Sequence, residues 1–403
     1  MSDQLQLFGK AQRRIQSVAP IRDAIDVASL FAGIGGFEFG FSQAGHRAAV
    51  LVENYEPARA VLRTRFPGAE LLADVRDVAE LPNAVGGLAA GFPCQDLSSV
   101  GQKLGISGAR SRLVGEVFRL LERTRVEWVV LENVPFLLQL GRGRALRLIT
   151  SALDELGYRW AYRVIDTRAF GLPQRRRRWY LVASLTANPC DVLLSEDVVP
   201  PPDPDPANVA CGFYWTEGMR ALGWAIDAVP PIKGGSTVGV PSPPAMRLPD
   251  GDLVTPDLRD AERLQGFPAD WTEPAAEVAR PGYRWQLVGN AVSTPVTAWI
   301  GRRLRDPIDY DASADRPLRS NEPWPYAAWS DEAGRVFRSD VSSSPVWLDR
   351  PHLIDFLEYE PKPLSARAAA GFLARTRKGS LRFPDGFLAH VEDHISRQLR
   401  IAA

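Results

Sequence analysis

The sequence predicts a doubly wound α/β sheet as the main body of the chain. Three observations carry that prediction. From Ile25 to Ser184, short apolar runs alternate with amphipathic stretches. The run VEWVVLENV is apolar almost throughout, as in a strand buried on both faces of a parallel sheet. The first strand runs into FAGIGGF, a glycine turn that opens a helix.

The elements follow in order. IDVASLF is a short buried strand, and GFEFGFSQAG a helix ended by Gly45. RAAVLVEN is a second strand. PARAVLRTRF is a helix opened by Pro57 in its first turn. ELLADV and GGLAAGF are further strands. RLVGEVFRLLERT has helical spacing, with Leu113, Val117, Leu120 and Leu121 on one face. VEWVVLENV is the next strand, RALRLITSALDELG an amphipathic helix, and YRWAYRVID and RRWYLVAS the last strands. After Ser184 the character changes. VVPPPDPDPANV cannot continue a sheet or a helix. Residues 185–255 read as an irregular, Pro/Gly-rich insert with Phe213, Tyr214, Trp215 and Trp224. Helical signal returns at LRDAERLQGFP, at NAVSTPVTAWIGRRL and at LSARAAAGFLARTR.

This organisation predicts four parts. Residues 1–23 form an arm. Residues 24–184, completed by 282–304, form the α/β domain. Residues 185–281 form a smaller irregular domain, and 305–403 a C-terminal extension. A length of 403 residues suits two or three domains with a real core. No window approaches 18 apolar residues, and the first residues lack the apolar core of a signal peptide, so a cytoplasmic protein with no membrane partner is expected. Cys94, Cys190 and Cys211 are too scattered for a disulfide framework or a zinc site, and no metal is expected. Forty-eight basic residues balance 48 acidic ones, which hides any local basic cleft.

Several positions carry chemistry. Gly33, Gly35 and Gly36 let the backbone approach a ligand after the first strand. Glu53 ends the second strand, where a carboxylate suits a ribose hydroxyl pair, and Asp74 ends the third, where it suits an adenine amine. The turn is not GxGxxG and no phosphate-binding Lys-Ser/Thr follows, so a nucleoside without a pyrophosphate is the better fit. Cys94 follows the fourth strand, at the sheet edge where ligands bind. Alone, a single cysteine is more often a packed thiol than a nucleophile. The loop after it holds Gly101, Gly105 and Gly108 with Lys103, Arg110 and Arg112, and Asp96 is its one acid, as in a lid over an anionic polymer. Glu132 ends the fifth strand, either as an ion-pair partner or as an acid with a raised pKa. Arg175 to Arg178 run into a strand, so Arg176 and Arg178 share one face and Arg175 and Arg177 the other.

Taken in order, these motifs resemble those of the DNA (cytosine-5) methyltransferases. The motifs are FAGIGGF (Phe31 to Phe37), GFPCQ (Gly91 to Gln95), ENV (Glu132 to Val134), QRRRR (Gln174 to Arg178), RLQGFP (Arg263 to Pro268) and GNAVSTPV (Gly289 to Val296). The resemblance covers roughly residues 24–303. It implies a Rossmann-like class I methyltransferase sheet with a small target-recognition domain, S-adenosylmethionine as cofactor and a flipped-out cytosine in double-stranded DNA as substrate. Cys94 would add to C6 of the base and make C5 nucleophilic. Glu132 would hold the N3 and amino edge and supply a proton. Arg178, with Arg176 nearby, would anchor the base or its phosphate. Gln95, Ser98, Lys103 and Arg112 would contact the substrate from the closing loop. Phe31, Gly33, Ile34, Gly36, Glu53, Asp74, Asn290 and Val292 would line the cofactor site. The family's usual arginine-x-leucine-threonine run is not clean in LVTPDLRDAE. The resemblance also implies a bacterial, nucleoid-associated enzyme acting as a monomer on DNA, with a cognate restriction endonuclease or a defence-system protein as partner.

Three rivals remain open at this point. The same chemistry on tRNA is the nearest, and the length of the Pro/Gly-rich insert favours DNA. A non-catalytic scaffold predicts a missing nucleophile or acid, whereas Cys94 and Glu132 are present. A nucleotide-binding oxidoreductase predicts a diphosphate fingerprint, which the sequence lacks.

Overall fold

The computed structural model describes residues 22–92, 113–217, 219, 221–234, 241–319 and 321–402. Its centre is a ten-stranded sheet. Seven strands come from the first half of the chain: β1 (Asp26–Leu30), β2 (Arg47–Val52), β3 (Glu70–Leu72), β4 (Val85–Gly91), β5 (Trp128–Asn133), β6 (Arg159–Asp166) and β7 (Arg177–Ser184). Their order is β6-β7-β5-β4-β1-β2-β3. The pairs from β5 through β3 are parallel, and β7 runs antiparallel to both β5 and β6. The strand order reverses between β1 and β4, so the carboxyl ends of these parallel strands open a crevice at that switch point.

Helices cover both faces. On one side lie α1 (Gly36–Ser42) and, from far along the chain, a helix at Thr294–Arg305. Phe37, Phe41, Val296, Trp299 and Ile300 pack there with Val130, Tyr180 and Val182. On the other side, Leu113–Arg123 and Arg144–Glu155 bury Val117, Leu120, Leu121, Leu146 and Ile149 against Leu88, Val129 and Leu131. β5 is buried along its whole length, which is why its sequence is apolar without alternation.

The C-terminal part departs from the expected single extension. Its first portion adds β12 (Arg316–Pro317), β13 (Ala327–Ser330) and β14 (Val336–Arg338) to the open edge of β6, in the order β12-β14-β13-β6. Trp324 caps this edge and stacks edge-on against Trp160 and Tyr162. Its last portion leaves the central sheet. Lys362–Pro363 (β15) pairs with Leu253–Thr255 (β11) in a second, five-stranded sheet. The other strands of that sheet are β10 (Ala245–Arg247), β8 (Cys211–Phe213) and β9 (Ala225–Ile226), all paired antiparallel.

The insert is largely irregular, as the sequence predicts, and it carries a small sheet whose two- and three-residue strands are too short to show alternation. Two helices, Ala366–Thr376 and Phe387–Ala402, cover it. Phe213 from the sheet meets Phe372 and Phe387 with ring centroids 5.4 Å and 5.1 Å away. Each such aromatic pair adds about 0.5–1.5 kcal/mol beyond its area burial. Neither helix could bury its apolar face on the central sheet, whose faces are already covered. That is the physical reason the end of the chain joins the second module.

The expected boundary at 185 also moves. Cys190, Val192, Leu193 and Leu194 pack on the central sheet, and Phe267, Trp271 and Leu287 pack with Ile34 and with Ala58 and Val61 of the helix Glu56–Arg65. The second module thus draws on residues 210–255 and 362–402.

Candidate active site

The glycine turn after β1 is shaped by backbone that only small or special residues accept. Phe31, Gly33 and Gly35 all lie at positive φ, at 57°, 57° and 87°. The Glu53 carboxylate clasps the turn: Gly33 N–H donates to Oε2 and Tyr55 N–H to Oε1, each at 2.8 Å. A Cβ built on Gly33 meets no atom within 4 Å, whereas one on Gly36 comes within 2.6 Å of Val292 Cγ2. The turn is packed on one side and open on the other. Ile34 is buried, and its carbonyl accepts from Trp271 Nε1 at 2.8 Å. Asn290 is exposed at the end of the helix Gly282–Asn290. The open space at Gly33, the half-buried turn and the clasped carboxylate fit a nucleoside, with Glu53 oxygens still able to accept from hydroxyls. Asp74 sits at the end of the third strand region, but Arg76 engages it. It accepts from Arg76 N–H and Nε–H at 2.9 Å, and these bonds hold its carboxyl down at about 2. An adenine amine would share that carboxylate with Arg76.

The second half of the site lies at the ends of β4 and β5. Gly91 stands opposite Glu132 in the parallel register. Asn133 Nδ2 donates to Phe92 O at 3.0 Å, which ties the two strand ends together. Phe92 is the last described residue before Cys94. Cys94, Gln95, Ser98, Lys103 and Arg112 lie outside the described residues. Glu132 is buried, and Arg178 Nε lies 3.1 Å from its Oε1. Burial pushes its carboxyl above the ordinary range, against the opposing charges of Arg178 and Arg176.

The arginine run obeys the strand alternation but divides its work. Arg178 faces Glu132, and Arg177 on the other face pairs with Asp166 at 3.4 Å. Arg176 departs from the expectation that it joins Arg178 at the substrate. It is fully buried, and its guanidinium donates to Gly289 O and, at 2.6 Å, to Ala291 O. Burial, with Arg178 nearby, lowers it to about 9. Arg176 is a strut for the GNAV turn. Gln174 sews the same motifs together: its Nε2 donates to Leu264 O at 2.7 Å, and its Oε1 accepts from Ile232 N–H at 3.2 Å. Two residues here escape sequence reasoning. Tyr180 stands directly opposite Glu132 across β5 and β7, and its buried hydroxyl has no hydrogen-bond partner among the described residues. Its place two residues beyond Arg178 is the signal that marks it. Tyr214 arrives from the second module, close enough for Arg176 and Arg178 to oppose the rise that burial gives its hydroxyl, which stands at about 12. No local pattern announces it.

A buried acid held by a guanidinium, beside an open nucleoside cradle, can hold or give a proton to a bound base. No helix of the described residues is long and apolar enough to cross a membrane.

Comparison with known proteins agrees. The family model for C-5 cytosine-specific DNA methylase matches residues 25–206. The chain is 46% identical to the type II methyltransferase M2.BsuMI of Bacillus subtilis (strain 168), over 93% of this chain and 99% of that protein. It is 36% identical to the type II methyltransferase M.NlaX of Neisseria lactamica, over 72% of this chain and 99% of that protein. The crystal structure of S. pombe Dnmt2 methyltransferase shares the fold, with a TM-score of 0.52 and 16% identity over 70% of this chain and 98% of that one. The sheet order, the acid–guanidinium pair at its edge and these likenesses lead to one conclusion: the chain belongs to the C-5 cytosine-specific DNA methylase family.

Proposed function

We propose that the protein methylates C5 of a flipped-out cytosine within a specific double-stranded DNA sequence, as the modification half of a restriction-modification pair. The Glu132–Arg178 pair at the strand ends, beside the open turn at Gly33, is the observation that carries this reading. The type II relatives support the restriction-modification setting.

S-adenosylmethionine, when bound, supplies an electrophilic methyl group. Phe31, Gly33, Ile34, Gly36, Asn290 and Val292 would hold it, with Glu53 on the ribose hydroxyls and Asp74 near the adenine. The remaining work falls to the chain. Cys94, as thiolate, forms a bond to C6 of cytosine, which converts C5 into an enamine-like nucleophile. Glu132 meets the N3 edge with the proton that its burial favours and neutralises the charge that develops there. Arg178 holds Glu132 in place and offers its remaining N–H groups to the base. Once C5 carries the methyl group, its proton leaves to a base and the C6–S bond breaks, returning Cys94. Arg176 is a positioning residue that fixes the turn at Gly289 to Ala291. A stacked cytosine is out of reach of Cys94, so the base must leave the duplex.

The test is methyl transfer by the purified protein to duplex DNA and, in parallel, to tRNA. Transfer to duplex DNA at cytosine C5, with a denaturant-stable adduct on duplex containing 5-fluorocytosine, is the expected result. Transfer to tRNA alone would overturn the choice of substrate.

A further inference from the structure

The end of the chain carries a charge imbalance that the neutral total conceals. Residues 362–400 hold eight Lys/Arg against three Asp/Glu. Four of the eight fall in RTRKGSLR, from Arg375 to Arg382, with no acid among them. This stretch leads from the helix Ala366–Thr376 toward the helix Phe387–Ala402. One arginine pins it. Arg375 donates from Nε to Glu217 O at 3.0 Å and from Nη2 to Trp215 O at 2.8 Å. Arg377 makes an exposed pair with Glu392 at 2.7 Å, an arrangement worth little in water. Lys378 and Arg382 are exposed and form no ion pair among the described residues.

The pinned segment leads to the active site by a chain of contacts. Glu217 pairs with Lys233, whose Nζ lies 3.8 Å from the centre of the Tyr214 ring. Beyond Lys233, a Cβ on Gly289 would sit 2.5 Å from Gly234 N, so this loop is pressed against the turn that Arg176 holds. The basic stretch is thus attached, through residues 214–217 and 233–234, to the turn at Gly289 that Arg176 holds.

We propose that the connection around Lys378 and Arg382 is a DNA-backbone contact. In this reading the C-terminal helices complete the recognition module, and the two cations hold phosphates beside the extruded base. The ligand chemistry is a phosphodiester anion, met by exposed cations on a connection that Arg375 fixes in place. The inference rests on duplex DNA being the substrate.

The experiment compares the full-length wild type with Lys378→Gln/Arg382→Gln in binding to a duplex oligonucleotide from about 50 to 300 mM salt. A control variant, Arg316→Gln/Arg319→Gln, removes two exposed charges, paired loosely with Asp340 and Glu322, from the far sheet edge. Two lost phosphate contacts should make the slope of log K against log salt shallower by about 2, with binding roughly 10- to 100-fold weaker at low salt. S-adenosylmethionine affinity and Tm should not change, and the control should keep the wild-type slope. An unchanged slope in Lys378→Gln/Arg382→Gln, or an equal loss in the control, overturns the proposed contact while wild-type methylation of duplex stands. Wild type that methylates no duplex overturns the reading beneath it, and the inference falls with it.

Discussion

The two halves of this molecule are built on different principles. The catalytic half is a sheet of strands mostly five to eight residues long, such as Arg159–Asp166 and Arg177–Ser184, paired along their whole length. The second half is a sheet of two- and three-residue strands, closed by helices from the far end of the chain. The first half positions chemistry with backbone: strand ends fix Glu132, and the turn after β1 fixes Gly33. The second half is held by side chains, chiefly the Phe213, Phe372 and Phe387 cluster. Precise catalysis needs the rigid arrangement, while a module of short strands and loops tolerates exchange of its parts.

The largest expected effect breaks the catalytic half alone. Cys94→Ser should lower turnover by ~10^4-fold or more while DNA and cofactor affinity stay near wild type. Single-turnover rates beside equilibrium binding check it, and wild-type turnover in that variant contradicts the covalent route. Next, Glu132→Gln should cost about 10²–10⁴-fold in kcat, with no loss of fold, because the buried proton source goes. The second half should respond in the opposite way. Phe372→Ala should destabilise its module by about 3–5 kcal/mol. Duplex affinity should fall while S-adenosylmethionine still binds. Equal loss of both ligands would show that the halves unfold together.

A smaller effect concerns pH. Glu38 lies buried in α1, and burial raises its carboxyl to about 7, with Glu53 adding to the rise. An acid whose folded pKa exceeds the unfolded one stabilises fully below the unfolded value, near 4.5, and loses that contribution as pH rises through about 7. Glu38→Gln should therefore leave Tm unchanged near about pH 4 and raise stability by on the order of 3 kcal/mol near about pH 8.5. A Tm difference that does not vary with pH would contradict this. The smallest effect is at Asp74, whose carboxylate Arg76 already engages: Asp74→Asn should weaken cofactor binding by only about threefold to tenfold.

The sequence makes the catalytic half legible because most of its first seven strands are long enough to show their character and the first four motifs sit at strand ends. Glu53, Glu132 and Arg178 follow from that rule. The partner of a side chain is another matter. Alternation puts Arg176 on the face of Arg178, yet its bonds go to carbonyls of Gly289 and Ala291, some 110 residues away in the chain. The helix Gly282–Asn290 also escapes, because Pro281 and Gly282 at its start resemble a turn and its apolar positions are few. In the second half, two- and three-residue strands give no period, and nothing local links Phe213 to Phe372 and Phe387. Only the packed structure joins them.

The most direct test is bisulfite sequencing of DNA from cells that express the wild type or Cys94→Ser. The account predicts protected cytosines in one recurring sequence context with the wild type and none with the variant. No protection by the wild type, or equal protection by both, would contradict it.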